Sequence, residues 1–233
     1  MKKKVLSLLV FLPAFTTVMA QQTAEVPDVC AFVNPIIGTN GMGHTFPGAC
    51  APFGLVQLSP DTDTIPHNID GTYQKNAYEY CAGYQYHDPT IVGFSHTHLS
   101  GTGAGDLYDI SFMPVTLPYK EAEAPLGIHS RFSHDDESAT AGYYQVLLKD
   151  YNINVELTAT ERCGIQRYTF PEAQAAIFLN LKKAMNWDFT NDSRIEIVDS
   201  VTIQGYRFSD GWARDQHIYF RTRFSKPFTS VQI

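Results

Sequence analysis

Apolar and polar residues alternate along the second half of the chain. The clearest case lies at residues 217–224, where Ile218 and Phe220 alternate with Tyr219 and Arg221. A period of two places alternate side chains on opposite faces of a strand, so this run predicts a strand with one buried face. Similar runs predict further strands, at residues 144–148, 153–157, 165–170 and 175–181. Long stretches with apolar residues every three or four positions are missing, so the sequence predicts few helices.

Turn-forming residues separate the runs. Residues 150–152 and 209–211 contain Asp, Asn or Gly, which are typical of tight turns. Gly205 interrupts an alternating run at 201–208 and predicts a β-bulge or a tight bend. Strands at this spacing, in a chain with 13 prolines and 16 glycines, predict an all-β fold of the β-sandwich type. Residues 34–105 are rich in Gly, Pro, Asn, Asp and aromatic residues, which predicts long structured loops that carry binding groups.

Residues 1–20 have the layout of a secretory signal peptide. Lysines at 2–4 precede an apolar segment at 5–15, and small residues stand just before Gln21. The apolar segment is too short to span a bilayer. We therefore expect an exported protein, periplasmic or secreted, in which residues 21–233 form one domain.

Charge and cysteine content exclude some classes of protein. The formal net charge is −7, and loss of the three leader lysines takes it to −10. Nucleic-acid binding and anionic-membrane binding depend on basic patches, so neither is expected. Four cysteines allow three pairings in an oxidising compartment, and without a CxxC spacing a structural zinc site has little support. They are Cys30, Cys50, Cys81 and Cys163.

Residues 93–103, GFSHTHLSGTG, concentrate polar groups and glycines. His96 and His98 are two positions apart, so an extended strand would direct both rings to one face. The glycines that follow allow a ligand to approach the backbone closely. Short donors and acceptors of both kinds fit the hydroxyl groups of a sugar. Two alternatives stay open: a core strand whose histidines are satisfied internally, and a zinc or iron site completed by Asp88 or Asp106.

Neighbouring segments carry similar groups. Residues 34–48 form a glycine-rich loop with His44 and Phe46, but they lack the Lys-Ser/Thr ending of a phosphate-binding loop. Asp61 ends the next apolar run, either as a turn former or as a ligand. An aromatic cluster follows, and flat rings stack on the apolar faces of sugars, although core packing is the alternative. Its members are Tyr78, Tyr80, Tyr84, Tyr86 and Phe94.

Carboxylates decide whether the chain could hydrolyse a glycoside by itself. That reaction needs one carboxyl group as acid and a second as base or nucleophile. Residues 133–138 are interpreted as a solvated turn, and no pair stands out as catalytic. Neither does a Ser-His-Asp arrangement or a nucleophile elbow. The candidates include Asp106, Asp109, Asp135, Asp136 and Glu137.

Several segments resemble the N-terminal domain of glycoside hydrolase family 92. They are residues 34–62, 83–103, 141–144, 158–162 and 211–216, and GHTFPG and GFSHTHLSGTG are the most specific motifs. The resemblance extends from about Cys30 to the last residue. It implies a galactose-mutarotase-like β-supersandwich that packs, in the family, on a C-terminal (α/α)6 barrel. The implied activity is that of an exported exo-α-mannosidase, calcium-dependent and inverting.

The resemblance places the general acid, the general base and the calcium ligands chiefly in the barrel, which we expect this chain to lack. Catalytic residues and bound calcium are then expected outside this chain. The expected partners of the chain are α-mannoside glycans and the barrel, and an apolar face of the domain would contact the barrel. The resemblance also implies that the loops form one wall of the mannose cleft. Polarity and position in the loops assign this role to His44, Phe46, Tyr86, Asp88, His96, His98 and Thr102.

Other interpretations stay open beside this one. Gln166 departs from the family pattern, in which a histidine is expected. A stand-alone carbohydrate-binding domain without catalytic activity is the alternative. A metal-dependent enzyme that uses His96 and His98 is a third hypothesis.

Overall fold

The computed structural model describes residues 28–62, 68–119, 127–184 and 188–232. These residues form sixteen β-strands and four short 3-10 helices, with no α-helix among them. The signal peptide predicted at residues 1–20 lies outside the described residues. Within the described ranges, no helix has the length and the hydropathy needed to cross a membrane. The 3-10 helices are Val29–Phe32, Gly41–Gly43, Lys75–Tyr80 and His134–Asp136.

The strands of the first half are short. They are β1 (Ala49–Cys50), β2 (Gln57–Asp61), β3 (Asn68–Ile69), β4 (Thr72–Tyr73), β5 (Thr90–Ile91), β6 (Gly93–Ser95), β7 (Ser111–Thr116) and β8 (Ser130–Arg131). The strands of the second half are mostly longer. They are β9 (Glu137–Thr140), β10 (Tyr143–Leu148), β11 (Ile153–Ala159), β12 (Gly164–Thr169), β13 (Ala175–Asn180), β14 (Phe189–Asp199), β15 (Thr202–Asp210) and β16 (Gln216–Arg223). The strands predicted from alternation are confirmed.

Two antiparallel sheets form the body of the sandwich, with strand orders β1-β2-β6-β7-β13 and β12-β11-β10-β9. Their facing side chains make the main core, to which Leu58 and Met113 contribute from one sheet and Val146 and Val155 from the other. β10 shows how the local sequence produces this core, because its buried residues alternate with half-buried ones. Burial of each large aliphatic side chain contributes about 1.5–3 kcal/mol. The predicted all-β sandwich is confirmed.

A third sheet, β14-β15-β16, covers the other face of the five-stranded sheet. Phe112 on β7 packs in a core with Ile218 and Phe220 of the third sheet, whereas Met113 on β7 faces the main core. Consecutive residues of a strand point to opposite faces, so β7 is buried on both sides. The fold therefore has three layers.

Neither of the two features predicted at Gly205, a β-bulge or a tight bend, is found there. The register of β15 with both neighbours is continuous at Gly205, and the irregularities of β14 fall between Thr190 and Asp192 and between Ile197 and Asp199. A Cβ on Gly205 would lie 1.9 Å from the carbonyl oxygen of Arg194. The glycine is therefore required by the close approach of β14.

The cysteines are arranged as separate thiols. Cys30, Cys50 and Cys163 are exposed and free, whereas Cys81 is buried. Partial burial raises the pKa of the Cys50 thiol. The structure thus shows none of the three possible pairings.

Candidate functional site

One buried glutamine binds the glycine-rich loop to the aromatic segment. Gln85 accepts a hydrogen bond at Oε1 from Gly41 N (2.8 Å) and donates from Nε2 to Gly41 O (3.0 Å). Its own backbone N donates to the hydroxyl of Thr62 (2.8 Å). Beside it, Nδ1 of His87 lies 2.8 Å from Oδ1 of Asn40. Gln85 fixes the loop, yet a single glutamine carries no signal of spacing or composition that would single it out in the sequence.

The same loop also binds Tyr86 and the glycine run. The backbone N of Tyr86 donates to Thr39 O (2.8 Å), and the backbone N of Gly101 donates to His44 O (2.6 Å). We call residues 39–48, 85–88 and 100–103 the loop cluster. It holds five of the predicted site residues, namely His44, Phe46, Tyr86, Asp88 and Thr102.

His44 is enclosed within the loop cluster. Its backbone is in the left-handed region (φ +52°), and its ring packs edge-on against Tyr78 with the ring centroids 5.2 Å apart. Its Nε2 is buried without a hydrogen-bond partner among the described residues. A buried polar atom without a partner costs about 1–3 kcal/mol. An unpaired polar atom and a rare backbone conformation are both typical of functional sites, so His44 is a candidate site residue.

The glycine run approaches Tyr78 closely. A Cβ on Gly103 would lie 1.8 Å from Oη of Tyr78, so a larger residue would displace that ring. Thr102 next to it is half-buried, and its hydroxyl accepts a weak bond from Ala104 N (3.4 Å). Glycine at 103 is thus required by the close approach of Tyr78.

Tyr86 presents a flat ring to solvent, with 39% of its surface exposed. It stacks on the ring of His134, with centroids 3.8 Å apart and 3° between the planes. His134 is fixed at both nitrogens: Nε2 lies 2.7 Å from Tyr86 O, and Nδ1 lies 2.7 Å from Oε2 of Glu137. A supported, exposed aromatic face is suited to stacking on a sugar ring.

The carboxyl group of Glu137 is buried beneath this ring pair, with 3% of its side chain exposed. Its Oε1 accepts hydrogen bonds from the hydroxyls of Tyr144 (2.6 Å) and Tyr84 (2.9 Å). Burial, and next the charge of Glu137, raises the pKa of both tyrosines well above their usual range, so both remain donors. The interpretation of this segment as a solvated turn holds for the two exposed aspartates of the 3-10 helix and is wrong for Glu137.

The aromatic cluster divides between the interior and the surface. Tyr80, Tyr84 and Phe94 are buried, as the core-packing alternative predicts, whereas Tyr86 is exposed. Asp88 is tied to the interior, because its Oδ1 accepts from the hydroxyl of Tyr80 (3.0 Å). Asp88 therefore lies at the edge of the loop cluster with its Oδ1 engaged.

His98 has no exposed side-chain surface. Its Nδ1 lies 2.7 Å from Gln57 O and its Nε2 lies 2.8 Å from Oδ1 of Asp61, which also accepts from the Ser95 hydroxyl (3.1 Å). A carbonyl can only accept, so Nδ1 donates, and the bond between Nε2 and Asp61 needs a further proton on the ring or the carboxyl group. Phe46 covers this ring, with centroids 5.3 Å apart. His98 thus positions Asp61 and Phe46 from below the surface.

Asp61 is a buried anchor, so the turn-former interpretation does not apply. Its Oδ2 lies 3.5 Å from Nζ of Lys183, and that ammonium lies 5.5 Å from the ring centroid of Tyr108. A Cβ on Gly83 would lie 2.9 Å from Oδ1 of Asp61, so glycine is needed beside it. Lys183 comes from a distant part of the chain, which is why the sequence does not reveal it.

His96 lies outside the loop cluster. Its Nδ1 lies 2.7 Å from Ile110 O and its Nε2 lies 3.4 Å from Nε2 of Gln166. Burial lowers the pKa of His96, and the bond to Ile110 opposes this effect. The predicted strand geometry is wrong, since β6 ends at Ser95 and the rings of His96 and His98 have different partners.

A buried arginine occupies the interior between the five-stranded and three-stranded sheets. Arg207 has no exposed surface, and it donates to Oδ1 of Asp109 (2.6 Å) and to Oδ1 of Asp188 (3.1 Å). Asp109 also accepts from the hydroxyl of Thr97 (2.6 Å). Burial raises the pKa of Asp188 to about 6, although its hydrogen bonds to Arg207 oppose the shift. These carboxylates are therefore structural.

The segment that carries Asp109 is strained. Leu107, Tyr108 and Ile110 have φ values of +82°, +74° and +56°. Such conformations cost about 1–3 kcal/mol each for non-glycine residues and persist only where surrounding contacts impose them. Here the buried bonds of Asp109, and the bond from the Tyr108 hydroxyl to Tyr80 O (2.9 Å), impose them.

The described residues do not fit a metal. Across the described ranges, no group of three His, Cys, Asp or Glu side chains could hold one. Asp106 is engaged as well, because its oxygens accept from the backbone N of Leu107 (3.0 Å) and Ala213 (2.7 Å). The hypothesis of a zinc or iron site at His96 and His98 is therefore unsupported.

Comparison with known proteins agrees with this architecture. The model of the glycosyl hydrolase family 92 N-terminal domain matches residues 32–233. An uncharacterised secreted glycosidase of Arthroderma benhamiae is 28% identical over 155 residues, which are 64% of this chain and 18% of that protein.

Solved structures extend the likeness. A family GH92 alpha-mannosidase from Bacteroides thetaiotaomicron, in complex with mannoimidazole, is 39% identical with a TM-score of 0.76, over 86% of this chain and 26% of that one. A GH92 inverting mannosidase from the same bacterium is 25% identical with a TM-score of 0.63, over 85% and 25% of the two chains. The chain thus spans about a quarter of the length of the solved structures that it matches. It belongs to glycoside hydrolase family 92, whose N-terminal domain it represents.

Proposed function

We propose that this domain forms one wall of the mannose-binding cleft of an exported, calcium-dependent, inverting exo-α-mannosidase. The observation that carries the proposal is the exposed ring of Tyr86, supported by His134, in the same loop cluster as the enclosed His44 with its unpaired Nε2. Membership of a glycoside hydrolase family supports it. An aromatic face with adjacent polar groups is the arrangement expected for a sugar site.

The roles divide between contact and support. In this proposal Tyr86 stacks on the apolar face of a mannose ring, and His44 and Thr102 offer hydrogen bonds to its hydroxyls. Asp88 and Phe46 complete the rim. Gln85 and His98 are positioning residues, because their polar side-chain atoms are already bonded within the fold and both act through the loop that they hold. His96 lies outside the loop cluster, and only the polarity of its segment supports a role in the cleft.

The chemistry is proposed to reside in a C-terminal (α/α)6 barrel. Inversion requires two carboxyl groups about 6.5–9.5 Å apart, one of them free to activate water. The buried carboxyl groups near the loop cluster are committed to structural bonds, Asp61 with His98 and Glu137 with two tyrosines. The acid, the base and the calcium ligands would then belong to the barrel.

Exposed apolar residues support contact with such a domain. Several large side chains between residues 29 and 55 are mostly exposed, and Phe53 is fully so. Soluble monomers rarely expose large contiguous apolar patches. These residues are Val29, Phe32, Ile37, Met42, Phe53 and Leu55.

The test separates binding from catalysis. The chain alone is expected to hydrolyse no aryl α-mannoside, with or without calcium, and to bind methyl α-mannoside weakly. Turnover by this chain would overturn the division of labour. N-terminal sequencing of protein recovered outside the cytoplasm tests export, with Gln21 expected as the first residue and an uncleaved leader as the contrary result.

A further inference from the structure

The outer face of the sheet β14-β15-β16 carries an ordered row of side chains. The register pairs Tyr206 with Arg194 on one side and with Tyr219 on the other. Two residues on the opposite face of β15, Ile203 and Arg207, are buried. Since successive residues of a strand alternate between faces, the row that contains Tyr206 points away from the core.

Aromatic rings dominate the centre of this face. Tyr206 stacks on Phe208 with centroids 4.3 Å apart and 22° between planes, and Phe208 stacks on His217 at 4.0 Å and 27°. Tyr219 packs against Tyr206 and Phe208, with ring centroids 6.2 Å and 5.5 Å apart, and 69% of its surface is exposed. We call these four residues the aromatic face. Their mutual packing fixes the rings before any ligand arrives, which lowers the entropic cost of binding.

Polar groups border the aromatic face. The hydroxyl of Tyr206 donates to Oδ2 of Asp192 (2.9 Å), and Nε2 of Gln204 donates to Oε2 of Glu196 (3.1 Å). A depression of about 290 Å³ lies here, lined by Arg194, Glu196, Gln204, Tyr206 and Tyr219 among others. Its volume is near the lower end, about 300 Å³, of small-molecule sites.

The charges around the depression balance. Glu196 and Arg194 line it with opposite charges, and the register places Asp192 and Arg221 on the same face, so these four residues carry no net charge. A nucleic acid would need an excess of positive charge. A neutral ligand with many hydroxyl groups satisfies both signs at once, and its apolar ring faces fit the exposed tyrosine.

We propose that this face is a second carbohydrate-binding surface, separate from the loop cluster, which takes a neutral oligosaccharide of the α-mannan type. Tyr219 is the stacking residue, and Glu196, Gln204 and Arg194 bond the sugar hydroxyls. The surface would retain a glycan chain while its end is processed elsewhere. The inference rests on the family and on this sheet, and it does not require the loop cluster to bind sugar.

Affinity electrophoresis in gels that contain soluble α-mannan tests the proposal with the whole chain. The parent chain is expected to be retarded, and Tyr219→Ala is expected to raise the dissociation constant on the order of tenfold. Tyr73→Ala, which removes an exposed tyrosine from the β3-β4 hairpin, is the matched control and should retain binding. Tyr219→Trp keeps an aromatic face and should also retain it.

Three results would overturn the proposal. The first is an unretarded parent chain, and the second is equal retardation of the parent and Tyr219→Ala. The third is a parent dimer that Tyr219→Ala dissociates in sedimentation runs without glycan, which would make this face an interface between copies. Tyr86→Ala distinguishes the two sites, because it removes the stacking residue of the proposed mannose cleft and leaves this surface unchanged. Tyr219→Ala is therefore also compared in the Tyr86→Ala background, where the same loss of retardation is expected.

Discussion

The ring of His134 lies parallel to the ring of Tyr86, 3.8 Å away and 3° from coplanar. The imidazole cannot turn, because one nitrogen faces Tyr86 O and the other faces the buried carboxyl group of Glu137. A core carboxyl group thus determines the orientation of an exposed ring. This chain of contacts connects the interior of the sandwich to the proposed sugar wall.

Glu137 can be tested through stability. Glu137→Gln replaces one of the two acceptor oxygens with an amide nitrogen, which cannot accept from the tyrosine or histidine donors, so we expect a loss of about 1–3 kcal/mol in the free energy of unfolding. Urea unfolding measures it. Asp136→Asn, at an exposed neighbour paired with Lys149, is the control and should change stability by less than about 0.5 kcal/mol. Equal effects of the two substitutions would show that the buried bonds contribute little.

Arg207 is expected to be essential for the packing of the third sheet. Arg207→Met leaves Asp109 and Asp188 buried without their cation, and removal of one partner of a buried pair costs about 3–5 kcal/mol. Arg221→Met, on the exposed face of the adjacent strand, is the matched control, expected within about 0.5 kcal/mol of the parent. A stable Arg207→Met protein would argue that the buried cluster is dispensable.

The pH dependence of stability reports on Asp188. Burial raises its pKa from the ordinary value of 3.8 to about 6 in the folded chain. The folded state therefore binds more protons between these values, and the associated stability is complete below about pH 4 and lost as pH rises through about 6. Asp188→Asn stays uncharged, so the parent should lose stability relative to this variant over that range.

Unfolding curves at several pH values provide the measurement. Asp135→Asn, at an exposed position, serves as the control for general charge effects and should follow the parent. If the parent instead gained stability relative to Asp188→Asn with rising pH, the attraction of Arg207 would outweigh burial.

The close approach at Gly205 gives a further prediction. Gly205→Ala places a methyl group 1.9 Å from the carbonyl oxygen of Arg194, so β14 must shift. We expect a loss of about 1–3 kcal/mol, typical of overpacking. Ser193→Ala, at a half-buried position of β14, should cost less. Thermal unfolding compares the two variants. An unchanged midpoint for Gly205→Ala would show that the close approach of β14 does not require glycine at this position.

Local sequence patterns were sufficient to predict the sandwich but not the buried charged residues. The alternation of β10 and β11 is a property of neighbouring residues, so it predicted both strands. Arg207 follows the same alternation as Ile203 and is buried because Asp109, 98 residues earlier, meets it there. The spacing of residues in the sequence does not reveal a pairing over that separation. Without knowledge of the pairing, an arginine is expected at the surface.

The candidate site, too, was predictable only where local composition marks it. Composition located the loops and singled out His44 and Tyr86, because glycine, histidine and aromatic residues concentrate there. It did not separate exposed from buried members. His98 is enclosed by Asp61 and Gln57, whose positions depend on how β2 pairs with β6. Gln85 and Glu137 act through tertiary contacts alone, and their residue types are common in solvated loops.

The most direct measurement of the central claim follows the rings of His44 and Tyr86 by NMR during titration with methyl α-mannoside to millimolar concentration. The account predicts that the resonances of both rings shift in the parent and in Tyr73→Ala, and that the His44 shift disappears in Tyr86→Ala. Unchanged His44 and Tyr86 resonances, or shifts confined to the aromatic face around Tyr219, would contradict it.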